Sequence, residues 1–585
     1  MNNDRYVSDA VVELMSGLGC RYVMLNPGSS FRGLHESLVN YGSGGGPGNG
    51  PDIILCPHEE ICVAAAHAYA KATGSVGWAL IHNLVGLMHA SMAVYNAFCD
   101  GVPLVVLGGG GPIRPSHRRA IDWLHSANAQ SGFVRAFVKY DDEPVEAQAT
   151  LDSIAQAWHL AGSVPQKPTY VTVDSQVQEE LVPEKLEVPT FEEFAHEPTF
   201  VSTMSEIQKA VDLLWEASTP VVVGGQVGYR SPATPLMTEL VELLDAGYHD
   251  ERNMVAFPTS HPQNLTGDDA IIAEADVLLT VDVQDLNWVT AGPKTSRGGF
   301  RSAHSFSGKI IDVSNAGFTL SSWSNAGKAP RPVSVRLQGD ALHVLEELNR
   351  ALRQKAPADS ADNRERRRRR RQRITDRRTA LRATHAQAVE EAWNDRPISA
   401  ARMVGELWSA VRDHPWLLLM RNLRSWPEGV WEFGGCGEYL GHSGGGGVGY
   451  GPGALLGGAL AARDRGQLPV GIIGDGDFFA GPGVLWSAVH HEVPMLVVVN
   501  NNRSYYQDER HQAEMASTRG RGRERAHIGT RLHEPDVDFG MIARSSGAWA
   551  PQTVVEPDQL KAAFEEAVER VSAGQVALVD VHTNR

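Results

Sequence analysis

Cysteine is scarce, with five in 585 residues (Cys20, Cys56, Cys62, Cys99, Cys436), an odd total and no CxxC pair. That excludes a disulfide framework or a cysteine-based metal site as the organising principle, and reduced thiols in a reducing compartment are expected. Excess positive charge is also missing. A formal net charge of −16 gives the long-range field the wrong sign for nucleic acid or an anionic membrane surface, so neither is an expected partner. No run of 18 or more apolar residues occurs, which leaves no candidate transmembrane helix. The opening MNNDRYVSDAVVELM lacks the basic-then-apolar order of a secretory signal, and the cytoplasm is the expected location.

What is present is ordinary for a globular chain: 42% hydrophobic and 21% charged residues. The length exceeds what one core can organise and predicts about three or four domains. Short β-rich apolar runs alternate with helical patterns, the signature of parallel α/β units. Tyr22–Leu25, Ile53–Leu55, Trp78–Ile81, Leu104–Leu107 and Tyr170–Val173 form one group, assigned to a domain over 1–185. Beyond the Pro- and Glu-rich VPEKLEVPTFEEFAHEP, a second group (Val221–Val223, Val277–Val281, Ile310–Val313) marks a middle domain over 200–352. A third (Trp416–Met420, Val470–Ile473, Met495–Val499, Ala577–Val581) marks a C-terminal domain over 395–585. The fold class is therefore α/β, three tandem domains with central parallel sheets. Between the last two, 353–394 carries the arginine run NRERRRRRRQRITDRR. It reads as a solvated helix or flexible connector in preference to a nucleic-acid patch.

The densest chemistry lies in GIIGDGDFFAGPGVLWSAVHHEVPMLVVVNNNRSYY. One buried strand delivers Gly474-Asp475-Gly476-Asp477 at its carboxyl end and the next delivers Asn500-Asn501-Asn502, so both clusters emerge at one edge of a parallel sheet, where α/β ligands bind. A carboxylate, an amide oxygen and a backbone carbonyl are hard donors suited to Mg2+, which commonly bridges to phosphate oxygens. The glycines let backbone approach phosphates closely. Without a metal, the same residues would form a GD turn and a polar loop.

GDG followed by NN, with Asp475 and Asn502 27 positions apart, resembles the cofactor motif of the thiamine diphosphate enzymes. The resemblance implies that Asp475, Asn502 and the backbone carbonyl of Ser504 hold Mg2+, which anchors the diphosphate beside Gly474, Gly476 and Asp477. The segment DIILCPHEEICVAAAHAYAKATG is similar to the stretch carrying the activating glutamate in the acetolactate synthase and benzoylformate decarboxylase branch, and Glu59 takes that place. A carboxyl group there would stabilise the imino tautomer of the aminopyrimidine, which then removes a proton from the thiazolium ring. In GGGGVGYGPGALLGG, Val448 falls where an apolar residue wedges between the cofactor rings, and Gly446 where a carbonyl meets the 4′-amino group. The three domains become pyrimidine-binding, Rossmann-like and diphosphate-binding. PVVVGGQVG, FPTSHPQNLTG and GKIIDVS supply scaffold in the middle one. FAD, carried there by some relatives, is not required by anything in the sequence.

NPGSS at 26–30 and LIHNLVG at 80–86 resemble the segments lining the substrate pocket of benzoylformate decarboxylase. Ser29 with Ser30, and His82 at 23 residues after Glu59, are the candidate pocket residues; the imidazole would pass protons and the hydroxyl would bond a carboxylate. His442, Gln507 and His511 stand where the relatives are apolar, and are pocket or surface residues. The Arg-rich 513–537 segment has no counterpart; it either gates the pocket or is a surface loop. These features imply a thiamine diphosphate-dependent decarboxylase or carboligase of a polar 2-oxo acid, with an aldehyde or ketone as acceptor. The alternatives are acetolactate synthase proper, a lyase or hydrolase of a hydroxylated or cyclic ketone, and a non-catalytic diphosphate-binding regulatory protein. By the same resemblance the active site lies between subunits of a homodimer or homotetramer.

Overall fold

The computed structural model describes residues 4–42, 50–194, 202–230, 232–251, 254–291, 306–315, 331–356, 360–423 and 426–585. Its strands are β1 (Tyr22–Leu25), β2 (Asp52–Leu55), β3 (Gly77–Ile81), β4 (Leu104–Gly110), β5 (Tyr140–Asp142), β6 (Pro168–Asp174), β7 (Pro220–Gly224), β8 (Gly247–Asp250), β9 (Val277–Val281), β10 (Lys309–Val313), β11 (Val335–Leu337), β12 (Trp416–Arg421), β13 (Leu468–Gly474), β14 (Met495–Asn501) and β15 (Val576–His582). They build three sheets, ordered β2-β1-β3-β4-β6-β5, β11-β10-β9-β7-β8 and β12-β13-β14-β15. Every pairing within them is parallel. The central strands are buried along nearly their whole length, as parallel sheets covered on both faces require.

Three strands escape the sequence reading: β5 (YDD), β8 (GYHD) and β11 (VRL). All three lie at sheet edges. These three are short and carry polar or charged residues, so they lack the continuous apolar run by which the other strands, the edge strands β2, β12 and β15 included, are read.

The arginine run is a helix, Ala361–Ala392, capped by the Ser360 side chain. It is not solvated throughout. Arg370 is 2% exposed, and its guanidinium donates to the carbonyls of Leu244 (2.8 Å), Trp215 (3.0 Å) and Ala217. Arg367 and Arg371 reach Asp245 at 2.6 and 2.8 Å. These carbonyls close helices Met204–Glu216 and Ala233–Leu244, whose orphan acceptors and negative dipole ends favour cations. The arginines serve to clamp two helix ends.

Helices Glu59–Thr73 and Tyr450–Asp464 join the first and third sheets. Both are rich in alanine and glycine because their backbones nearly touch. A Cβ at Gly457 would lie 1.9 Å from the carbonyl oxygen of Ala65, and one at Gly453 would lie 2.5 Å from the Ala64 Cβ. Such a contact tolerates no added methyl without separating the helices. Gly457→Val is expected to lower unfolding free energy by more than the roughly 1–3 kcal/mol usual for overpacking. Gly17→Ala, where nothing lies within 4 Å, should be neutral or slightly stabilising. Urea unfolding of both variants checks this; a Gly457→Val protein as stable as wild type would refute the close-contact account.

Candidate active site

At the carboxyl edge of the first sheet, four consecutive strand ends supply polar side chains. β1 leads into Gly28–Ser30, β2 into His58–Glu59, β3 into His82, and the segment after β4 into His125. Helix Glu59–Thr73 begins at its cap His58, whose Nδ1 accepts the Glu60 N–H at 3.1 Å. Glu59 is therefore a first-turn residue, buried to 8% exposure. Its carboxylate accepts from His89 Nδ1 at 3.0 Å, and the His89 ring stacks on His58 with centroids 5.0 Å apart.

His82 sits in the same cluster. A Cβ at Gly86 would lie 3.0 Å from Glu59 Oε1 and 3.1 Å from His82 Cβ, so glycine lets the two approach. His82 Nδ1 is 2.7 Å from Ser30 Oγ and its Nε2 is 3.2 Å from His125 Nδ1. Burial, and then His125, hold the His82 pKa below the usual imidazole value. The serine that meets His82 is Ser30; Ser29 is exposed and lines a separate surface groove with Arg32 and His35. Because successive residues of NPGSS turn into a short 3-10 helix, only one hydroxyl faces inward.

The edge of the third sheet holds the second cluster. β13 ends in Gly474, which pairs with Asn500, and β14 ends one residue later in Asn501. Asp475 is 3% exposed and accepts the N–H groups of Gly476 at 2.8 Å and Ser504 at 3.2 Å. Asn502 Oδ1 accepts the same Ser504 N–H at 3.0 Å. One shared donor brings the carboxylate and amide oxygens side by side. Burial pushes Asp475 up to about 6, with its backbone N–H partners opposing the shift. This hard-oxygen pair fits a divalent ion of the Mg2+ type. The Tyr505 ring backs Gly476, where a Cβ would come within 2.3 Å of it, whereas a Cβ at Gly474 would meet nothing closer than 3.9 Å.

The glycine strand before Tyr450 lies between the clusters. Gly449 donates to Asp477 Oδ1 at 2.6 Å, and Asn422 Nδ2 to its Oδ2 at 3.2 Å. Gly446 adopts φ +68 with nothing near its Cβ position, and Val448 is 58% exposed, an apolar side chain left uncovered beside them. The His442 side chain is exposed, while its carbonyl accepts the buried Lys71 ammonium at 2.8 Å. Gln507 and His511 are exposed on helix Tyr506–Thr518 and bond each other at 2.9 Å. The 513–537 segment finishes that helix and returns beside Ser504, where Arg531 bonds Glu509 at 3.1 Å.

Among the described residues, no hydrogen bond or ion pair joins Glu59 to Asp475, Asn502 or Ser504. The only three-residue His/Cys/Asp/Glu group among them with ligand atoms within 4.8 Å of one another is His58–Glu59–His89. His89 and His125 leave no local motif in the sequence, because each reaches its partner through the packing of separate elements; Glu60, next to Glu59 in the same turn, instead accepts the Ala93 N–H at 3.1 Å. No helix among the described residues is long and apolar enough to cross a membrane.

The family described as thiamine pyrophosphate enzyme, N-terminal TPP binding domain, matches residues 5–131, and the corresponding C-terminal TPP binding domain matches residues 422–581. The acetolactate synthase isozyme 3 large subunit of Escherichia coli is 22% identical over 590 residues, covering 98% of this chain and 94% of that protein. The benzoylformate decarboxylase of Pseudomonas aeruginosa is 26% identical over 554 residues, 91% of each chain. A solved thiamine diphosphate-dependent 4-hydroxybenzoylformate decarboxylase from Rhodococcus jostii RHA1 superposes over 99% of both chains with a TM-score of 0.75 at 20% identity, a likeness of fold.

Glu60 gives a measurable signature of this region. Burial, opposed by the Ala93 N–H and reinforced by Asp477, lifts its carboxyl from 4.5 to about 7. The fold therefore favours the protonated form, and its contribution is whole below about pH 4.5 and lost as pH rises through about 7, at most about 3 kcal/mol. Glu60→Gln keeps an acceptor for Ala93 without the charge. Urea unfolding should show the variant gaining roughly 1–3 kcal/mol on wild type between pH 5 and pH 8; a pH-independent difference would overturn the assignment.

Proposed function

Since the chain belongs to the thiamine pyrophosphate enzymes, in the branch of acetolactate synthase and benzoylformate decarboxylase, we propose that it is a thiamine diphosphate- and Mg2+-dependent decarboxylase or carboligase of a polar 2-oxo acid. The observation that carries this reading is the chain Ser30–His82–His125 beside Glu59, with spacings of 2.7 and 3.2 Å. The cofactor, when bound, would supply an electron sink for the substrate's carbonyl carbon as its bond to the neighbouring carboxylate breaks.

Glu59 holds the aminopyrimidine nitrogen by a carboxyl hydrogen bond, exchanging its present partner His89 for the cofactor. Asp475, Asn502 and the Ser504 carbonyl hold the cation, and Gly474, Gly476 and Asp477 border the diphosphate. Gly446 and Val448 meet the rings from the glycine strand. His82, kept neutral by burial and by His125, takes a proton at Nε2 or returns one, with Ser30 fixing its ring. The imidazoles of His58 and His89 at Glu59, and of His125 at His82, make this region polar, and favour a substrate that carries a carboxylate and a further polar group.

Met88 and Tyr95 lie on one face of helix Leu84–Asp100 and are 50% and 40% exposed, and Val448, Phe479 and Trp486 are likewise uncovered. So much uncovered apolar surface near the two clusters favours a second copy of the chain, with Glu59 and Asp475 of different subunits serving one cofactor.

Glu59→Gln should reduce turnover at least about a hundredfold while leaving cofactor affinity nearly unchanged. Asp475→Ala should abolish Mg2+-dependent cofactor binding. Calorimetry and CO2 release from a panel of polar 2-oxo acids, with and without aldehydes, measure both. A Glu59→Gln protein with full turnover, or an absence of CO2 from every acid, would sink the reading; a fully active monomer in sedimentation would sink its subunit arrangement.

A further inference from the structure

Four consecutive glycines, Gly444 to Gly447, precede Val448, and the fold gives them a partner in the first domain. Met92, Asn96 and Asp100 are spaced four apart on helix Leu84–Asp100, so they share one of its faces. A Cβ at Gly444 would lie 2.4 Å from Asp100 Oδ1, one at Gly445 2.7 Å from Asn96 Oδ1, and one at Gly447 2.4 Å from Met92 Cε. The glycine strand therefore lies along that face, and at these three positions any side chain would displace a helix residue. Gly446 is the exception. Nothing lies within 4 Å of its Cβ position, and like Val448 it is exposed.

Directed bonds hold the strand there. Asn96 Oδ1 accepts the Ser443 hydroxyl and the Gly445 N–H, each at 3.0 Å. The Ser443 hydroxyl in turn accepts the Gly446 N–H at 3.1 Å. Lys71, on helix Glu59–Thr73, donates to the His442 carbonyl at 2.8 Å and pairs with Asp100. Asn96, Asp100 and Lys71 are 0%, 2% and 6% exposed, and a buried ammonium is retained only where such partners satisfy it. Tyr229 of the middle domain closes the corner, its ring 4.7 Å from the Lys71 ammonium and its hydroxyl 3.4 Å from Asp100 Oδ1. Beyond Val448, Gly449 donates to Asp477. The strand is thus pinned from 442 to 446 and again at 449.

A run of glycines is the most conformationally free segment a chain can contain. Left unpinned, it would have to be ordered at the expense of whatever binds against it. We propose that Asn96, Ser443 and Lys71 are positioning residues, which preorganise Gly446 and Val448 for the ring end of the cofactor; this role rests on the thiamine diphosphate reading above. The strand faces the rings, whereas Asp475, Asn502 and Ser504 serve the diphosphate. Loosening the pins therefore weakens binding of the whole cofactor and leaves binding of its diphosphate end intact.

Calorimetry on the full-length protein freed of cofactor compares thiamine diphosphate with inorganic pyrophosphate, each in the presence of Mg2+. Ser443→Ala and Asn96→Ala should bind thiamine diphosphate about tenfold more weakly than wild type, and pyrophosphate equally well. Ser443 is partly exposed, so its variant folds even where loss of the buried Asn96 does not allow it, with circular dichroism as the check. Thiamine diphosphate affinity unchanged in Ser443→Ala, or pyrophosphate affinity falling in step with it, overturns the positioning role alone. A wild type that binds no thiamine diphosphate overturns the cofactor reading, and this role with it.

Discussion

The contact between helices Glu59–Thr73 and Tyr450–Asp464 is the constraint on which the arrangement rests. Gly453 and Gly457 bring the second helix against the backbone of Ile61 to Ala65, and a core of small side chains continues on both sides. The first helix starts at Glu59, and the second follows the glycine strand that carries Gly446 and Val448. Fixing the two helices fixes the edges of the first and third sheets relative to each other. Glycine here acts through size, since backbone contact at this distance has no room for a methyl group.

Burial then sets the electrostatics. Glu60 and Asp475 are pushed up to about 7 and 6, and Asp477 is also raised, in each case first by desolvation. These carboxylates would ordinarily be expelled to solvent. Backbone N–H groups hold them in place, Ala93 on Glu60, Gly476 and Ser504 on Asp475, and Gly449 on Asp477. His82 is shifted in the opposite direction by the same burial, which leaves it neutral and able to accept a proton. Burial at the two sheet edges thus raises these carboxyl groups and lowers the imidazole.

The arginine helix shows how a composition signal acquires meaning from its surroundings. As a string, it is a block of like charge; in the fold, Arg370, Arg367 and Arg371 neutralise the carboxyl ends of two helices and the Asp245 side chain.

The sequence alone determined the α/β class, the interior strands, and the placing of GDGD and NNN at neighbouring strand ends. Those properties are carried by local apolar runs and by residues close along the chain. It could not determine the edge strands β5, β8 and β11, whose short, polar sequences leave no apolar signature. Nor could it choose Ser30 over Ser29, bring His89 to Glu59 or join His125 to His82. Each of those contacts crosses between elements far apart in the chain, so only packing decides them. The separation of Gln507 and His511 from the buried edge has the same cause: which face of a helix is covered depends on what the tertiary structure lays against it.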